Sequence, residues 1–157
     1  MKLSLISKIL LSSTACLLLG SLSGIATGEA VNGWYSHIIK PYWNPPNWLF
    51  GPVWTLLYLL MGAAFAMVWN GQGKNKRVAL ALFGVQFVFN LFWSFLFFGL
   101  ARMDWALIEI LLLLVFISLT ISAFSKINRT AAILMIPYLL WVGFATLLNS
   151  SLYFLNA

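Results

Sequence analysis

Apolar residues along this chain gather into five long runs separated by short polar breaks. They cover about Ile9–Thr27, Leu49–Trp69, Val78–Leu100, Trp105–Phe124 and Ala131–Phe154. A transmembrane helix needs roughly 20 mostly apolar residues, and each run meets that length. Pro52 falls in the first turn of the second run, where a missing N–H leaves no helix bond unmade. The connectors are Gly28–Trp48, Asn70–Arg77, Ala101–Asp104 and Ser125–Thr130. Three of them are short, so neighbouring helices are expected to pack as antiparallel hairpins. The pattern predicts one all-α membrane domain over residues 1–157, a five-helix bundle with a long Pro/Trp-rich loop between the first and second helices. The first run begins like a secretory signal, with Lys2 and Lys8 ahead of apolar residues and small residues up to Cys16. The apolar stretch continues through Leu17-Leu18-Leu19 to Ile25, too long for a signal core, so a retained helix is expected.

Composition explains what those runs face. The chain is 62% hydrophobic and 8% charged, against about 45–50% and about 25% in soluble domains. A domain of this size cannot bury so much apolar surface internally, so the excess faces lipid. The net charge of +6 comes without a basic stripe or polar domain, which argues against nucleic acid as a partner. It fits orienting charge instead. With five crossings, Lys2, Lys8, Lys74, Lys76, Arg77, Lys126 and Arg129 share one side, while Lys40 and Arg102 share the other. The positive-inside rule then places the N-terminus and the loops 70–77 and 125–130 in the cytoplasm, with loop 28–48 and the C-terminus opposite. A single cysteine, Cys16, excludes an intramolecular disulfide. One histidine and three carboxylates leave no hydrolytic set, metal cluster or phosphate loop.

The helices also carry direction. Trp54, Tyr58, Met61 and Phe65 fall on one face of the second helix. Phe83, Gln86, Asn90, Trp93 and Phe97 share a face of the third, and polar Gln86 and Asn90 turn that face inward. Trp105 and Glu109 lie one turn apart in the fourth helix. Pro137, Trp141, Ala145 and Asn149 follow at spacings of four in the fifth. One reading of these faces is interhelical packing with Asn and Gln as hydrogen-bonding groups; the other is an aromatic-lined pocket. Such a pocket suits a large, flat, conjugated ligand, whose peripheral carboxylates Lys40 or His37 could meet at the mouth. His37 is equally readable as an ordinary interfacial residue. Glu109 is either a functional intramembrane carboxylate or a partner of Arg102 near the interface. The prolines between Trp34 and Trp48 stiffen the first loop, consistent with an ordered lid, although interfacial Trp and Tyr are common without one. Ala79, Ala81 and Gly84 would permit close approach of a second copy or serve internal packing.

Several stretches resemble the translocator protein family, also called TspO/MBR, tryptophan-rich sensory proteins or peripheral-type benzodiazepine receptors. They are Trp34-Tyr35, Lys40-Pro41-Tyr42-Trp43-Asn44-Pro45-Pro46, Phe50-Gly51-Pro52-Val53-Trp54, Gln86 through Trp93, Arg102 through Leu107, and Pro137 through Asn149. They occur in family order over nearly the whole chain after the first helix. The resemblance implies a five-helix bundle, often a homodimer, that binds porphyrins and, in some members, sterols and isoquinoline or benzodiazepine-type drugs. It implies that Trp34, Tyr35, Trp43, Tyr58, Asn90, Trp93, Trp105 and Ala145 line or cover the pocket, which the first loop closes. Trp54 and Trp141 match tryptophans implicated in bacterial light-dependent breakdown of protoporphyrin IX, and Glu109 falls where some members carry an aspartate.

One departure stands out. Asn149 is followed by Ser150 through Ala157 with no Lys or Arg, so the proposed C-terminal sterol motif, itself weak evidence, lacks its basic residue. The expectation is thus a membrane protein that binds protoporphyrin IX-class tetrapyrroles as sensor, carrier or light-dependent degrader. The candidate ligand-binding residues are Trp34, Tyr35, Trp43, Trp54, Tyr58, Gln86, Asn90, Trp93, Trp105, Trp141 and Ala145; Trp54 and Trp141 would carry any photochemistry. No obligatory cofactor or metal is expected. The alternative is a sterol or lipid transporter, or a membrane scaffold, without catalysis.

Overall fold

The computed structural model describes residues 3–157, apart from the side chains of Ile25 and Ala26. Met1 and Lys2, the latter counted above towards the charge bias, lie outside the described residues. Five helical segments are long and apolar enough to cross a membrane. In chain order the elements are α1 (Leu5–Asn32), α2 (Trp34–His37), α3 (Asn47–Asn70), α4 (Lys76–Ser94), α5 (Met103–Ser125), α6 (Arg129–Leu134) and α7 (Ile136–Asn156). All the expected spans exist, and each is longer than the apolar run alone. A helix continues past its hydrophobic stretch while its backbone groups find partners within it or at its caps. Ser4 caps α1 by accepting from the Ser7 amide at 3.1 Å, so the helix begins at Leu5, four residues before the expected start. At the other end α1 absorbs Gly28–Asn32, so the connector shrinks to Gly33–Pro46 and itself contains the one-turn helix α2.

Two spans are interrupted. α4 passes into a π-helical turn at Phe95–Gly99, closed by Leu100 N–H donating to the Phe95 carbonyl at 2.9 Å. Ala101 then takes φ of 52°, a left-handed conformation that L-residues other than glycine rarely adopt, and this reverses the chain into α5. The fifth span breaks between α6 and α7 at Met135, just ahead of Pro137, which lacks an N–H.

The tightest packing joins α1 to α3. A Cβ on Gly62 would lie 2.3 Å from the Ser13 Cα, so the absent side chain lets the two backbones touch. Ser13 Oγ donates across this seam to the Leu59 carbonyl at 3.0 Å. Beside it, Met61, Phe83, Phe87, Phe124 and Met135 fill a core at one end of the bundle, with Phe83 stacked on Phe124 at 5.9 Å. Ala79 is fully buried there, whereas Ala81 and Gly84 are not, so Ala79 serves internal packing. A second cluster around Tyr35, Phe97, Ala106, Leu148 and Leu152 fills the other end. The outward Leu, Ile and Val side chains, such as Leu18, Ile108, Leu112 and Leu140, remain exposed for lipid. Lys8 donates to Asn70 at 2.9 Å at one end of the molecule. At the other, Asn156 exchanges two 2.9 Å hydrogen bonds with the Ile39 backbone, tying the connector to the end of α7.

Candidate functional site

A cavity of about 450 Å³ opens among α1, α3, the end of α4 and α7. One wall is aromatic: Trp54 and Tyr58 from α3, Trp93 and Phe97 from α4 and its π turn, Trp141 from α7, and Tyr35 from α2. The Trp54 and Tyr58 rings stack at 5.5 Å and 28°, as residues one helical turn apart can. Trp141 meets the Phe50 ring edge-on at 6.0 Å. Ala145 and Asn149, one and two turns beyond Trp141, continue the α7 wall.

Gly20, Gly24 and Gly28 on α1, with Gly51 on α3, also line the cavity, beside Leu17, Ser21, Ser23, Thr27 and Val31 of α1. A Cβ on Gly24, Gly28 or Gly51 would meet nothing within 4 Å, so the space beside them belongs to the cavity. Gly20 differs, because the Tyr58 ring lies where its Cβ would be, 2.2 Å from the nearest ring atom. The ring of Tyr58 is therefore held between a glycine and Trp54. These α1 residues were not among the sequence candidates. The signal was present as glycine at every fourth position, a period that keeps residues on one helical face.

Hydrogen bonds fix the aromatic wall. Tyr58 OH donates to Asn90 Oδ1 at 2.9 Å, in the buried interior. Trp93 Nε1 donates to Asn149 Oδ1 at 3.2 Å, and Asn149 Nδ2 donates to the Met103 carbonyl at 3.0 Å. Tyr35 OH donates to Asn44 Oδ1 at 3.0 Å, and Lys40 Nζ sits 4.8 Å from its ring centre. Burial pushes the Tyr35 phenol above its ordinary pKa, and the Asn44 bond partly offsets that. No residue lining the cavity is charged among those described, so its surface is aromatic, apolar and neutral polar.

The sequence candidates separate into three groups. Tyr35, Trp54, Tyr58, Trp93, Trp141 and Ala145 share the cavity. Asn90 stands behind the wall and holds Tyr58, while Gln86, one turn earlier on α4, is buried away from the lining. Trp34 and Trp43 stand outside the lining: Trp34 Nε1 donates to the Phe98 carbonyl at 3.2 Å, and Trp43 packs against Phe144 at 5.7 Å. Trp105 is 54% exposed and carries the Arg102 guanidinium 5.8 Å from its ring centre. It faces outward because its neighbour Ala106 takes the interior position. Pro137 is likewise exposed, and Tyr138 occupies the buried stripe in its place. Arg102 pairs with Asp104 at 2.6 Å, so Glu109 is not its partner. His37 is exposed, with Nδ1 3.0 Å from the Gly33 carbonyl; neither it nor Lys40 lines the cavity.

Five membrane-length helices, four of which line an uncharged, aromatic-walled cavity, define a multi-pass all-α membrane protein with a small-molecule-sized pocket. The profile of the TspO/MBR family matches residues 12–155. The chain is 43% identical over 143 residues to the tryptophan-rich protein TspO of Chlorobaculum tepidum, covering 90% of each chain. It is 41% identical over 153 residues to the tryptophan-rich protein TspO of Archaeoglobus fulgidus, covering 97% of this chain and 99% of that one. Similarity to the translocator protein of Homo sapiens is 40% identity over 125 residues, 78% of this chain and 73% of that one. The chain belongs to the TspO/MBR family.

Proposed function

We propose that this chain binds a flat, conjugated tetrapyrrole of the protoporphyrin IX class in the cavity between α1, α3 and α7. The observation that carries the reading is the lining of the site: Trp54, Tyr58, Trp93 and Trp141 share one uncharged cavity with Gly24, Gly28 and Gly51, beside which space is open. A planar ring gains offset stacking on the aromatic residues, and the open space beside the glycines leaves room for it. Isoquinoline and benzodiazepine-type drugs, also flat and apolar, suit the same slot. The family resemblance gives the reading further support. Positive charge at the Lys8, Lys74–Arg77 and Lys126–Arg129 end supports an orientation with the N-terminus in the cytoplasm and the Gly33–Pro46 connector on the opposite face.

Titration of protoporphyrin IX into detergent-solubilised protein is expected to quench tryptophan fluorescence saturably. Absence of saturation, or identical quenching in a Trp54→Phe/Trp141→Phe double variant, overturns the assignment of this site. A second reading, light-dependent degradation, draws on the two family-matched tryptophans, Trp54 and Trp141, sharing one cavity. Illuminating the complex and following porphyrin absorbance tests it. Equal bleaching by wild type and the double variant reduces the protein to a binder.

A further inference from the structure

The cations of this protein divide unevenly between its two ends. At the connector end both are engaged: Arg102 pairs with Asp104 at 2.6 Å, and Lys40 Nζ lies 4.8 Å from the centre of the Tyr35 ring. The opposite end carries Lys8, Lys74, Lys76, Arg77, Lys126 and Arg129. No carboxylate side chain answers them. Glu29 and Asp104 lie towards the connector, Glu109 is buried within α5, and Arg102–Asp104 is the only ion pair among the described residues. The six cations come from three parts of the chain that meet at Gly71. Lys8 Nζ donates to Asn70 Oδ1 at 2.9 Å and lies 5.2 Å from the centre of the Trp69 ring. Lys76 Nζ donates to the Gly71 carbonyl at 3.0 Å. A Cβ on Gly71 would lie 2.9 Å from the Ile127 side chain, and one on Gly73 would lie 3.3 Å from it. The turn between α5 and α6 therefore rests on the turn between α3 and α4.

Lys8 and Lys76 are half-buried in this junction, whereas Lys74, Arg77, Lys126 and Arg129 are exposed. Like charges gathered on one face repel, and a bound anion relieves that repulsion. The neighbouring side chains narrow the kind of anion. Exposed Val78 follows Arg77 into α4, and exposed Ile133 lies one turn beyond Arg129 in α6. Trp69, beneath Lys8, is a residue type at home at the membrane interface. A soluble anion would meet the cations alone. An anionic phospholipid meets both, with its phosphate on the cations and its acyl chains on the apolar side chains below. We propose that this face binds the headgroups of anionic phospholipids in the leaflet at the Lys8 end. Lys74, Arg77, Lys126 and Arg129 meet the headgroups, as basic residues beside a membrane span do at an anionic surface. Lys8 and Lys76 hold the turns that present them. The surface lies outside the cavity and acts independently of any ligand bound there.

Native mass spectrometry of the detergent-solubilised protein, titrated with dioleoylphosphatidylglycerol or dioleoylphosphatidylcholine, tests this, because the two lipids share their tails and differ in charge. Wild type is expected to carry several-fold more phosphatidylglycerol than phosphatidylcholine at equal lipid concentration. That preference should shrink as salt is raised, since salt screens exposed charges. A Lys74→Gln/Arg77→Gln/Lys126→Gln/Arg129→Gln variant should bind the two lipids equally, while Lys40→Gln/Arg102→Gln, altered at the other end, keeps the preference. Equal binding by wild type, or an undiminished preference in the fourfold variant, overturns the proposal. Loss of the preference in the Lys40/Arg102 variant also overturns it, by tracing the effect to net charge. Displacement of phosphatidylglycerol by equimolar inorganic phosphate does so too, by assigning the face to a soluble anion. The wild-type preference and its salt dependence decide the matter should the fourfold variant fail to fold. No porphyrin is present, so failure of the cavity reading leaves the outcome unchanged.

Discussion

The two ends of the α1–α3 pair use the same residue for opposite purposes. At the Ser13 end, Gly62 removes a side chain so that two backbones touch. Towards the connector, Gly24, Gly28 and Gly51 remove side chains and nothing fills the space. Gly20 lies between them, filled by the Tyr58 ring. Glycine thus closes one end of the pair and opens the other, and the difference lies in what stands across from it.

Substitution at each glycine sharpens that contrast. The largest effect is expected for Gly62→Leu, where the new Cβ meets backbone atoms of Ser12 and Ser13 that cannot rotate away. Overpacking against backbone should cost about 3 kcal/mol, read as a lowered thermal midpoint and loss of monodispersity in detergent. A midpoint equal to wild type would dissolve the distinction. Gly20→Ala should instead displace the Tyr58 ring from Trp54 and weaken its bond to Asn90. Loss of a buried hydrogen bond should cost about 1–2 kcal/mol, together with weaker porphyrin quenching. Gly24→Leu should leave the thermal midpoint unchanged or slightly raised, since leucine favours helix over glycine. Its side chain enters the cavity, so porphyrin affinity should fall tenfold or more, about 1.4 kcal/mol. Unchanged affinity there would locate the ligand elsewhere. The smallest effect belongs to Gly28→Ala, where one methyl enters open space; stability and affinity should both stay within about 0.5 kcal/mol of wild type.

The site was legible where side-chain identity carries the information. Trp54, Tyr58, Trp93 and Trp141 were readable as inward-facing because large aromatic residues at helical spacing mark such a face, and Ala145 followed from its place one turn beyond Trp141. Trp105 misled for the same reason. A tryptophan is at home in a core or at the membrane interface, and the pattern does not separate those places. The glycines of α1 were passed over because a residue without a side chain has no polarity to read. Pro137 continues the face of Trp141 and Ala145 past the cavity lining, while Tyr138 and Val142 take the buried face of α7.

What the sequence determined by itself is the membrane solution: five spans and their order. Those follow from apolar length and the cost of unpaired backbone in a bilayer, which are local quantities. Tertiary structure decided which helices part to form a cavity, that Trp34, Trp43 and Trp105 stand outside its lining, and that Glu109 lacks the Arg102 partner. These depend on how residues far apart in sequence meet, as at Ser13 and Gly62 or Tyr58 and Asn90. No local pattern encodes such distances.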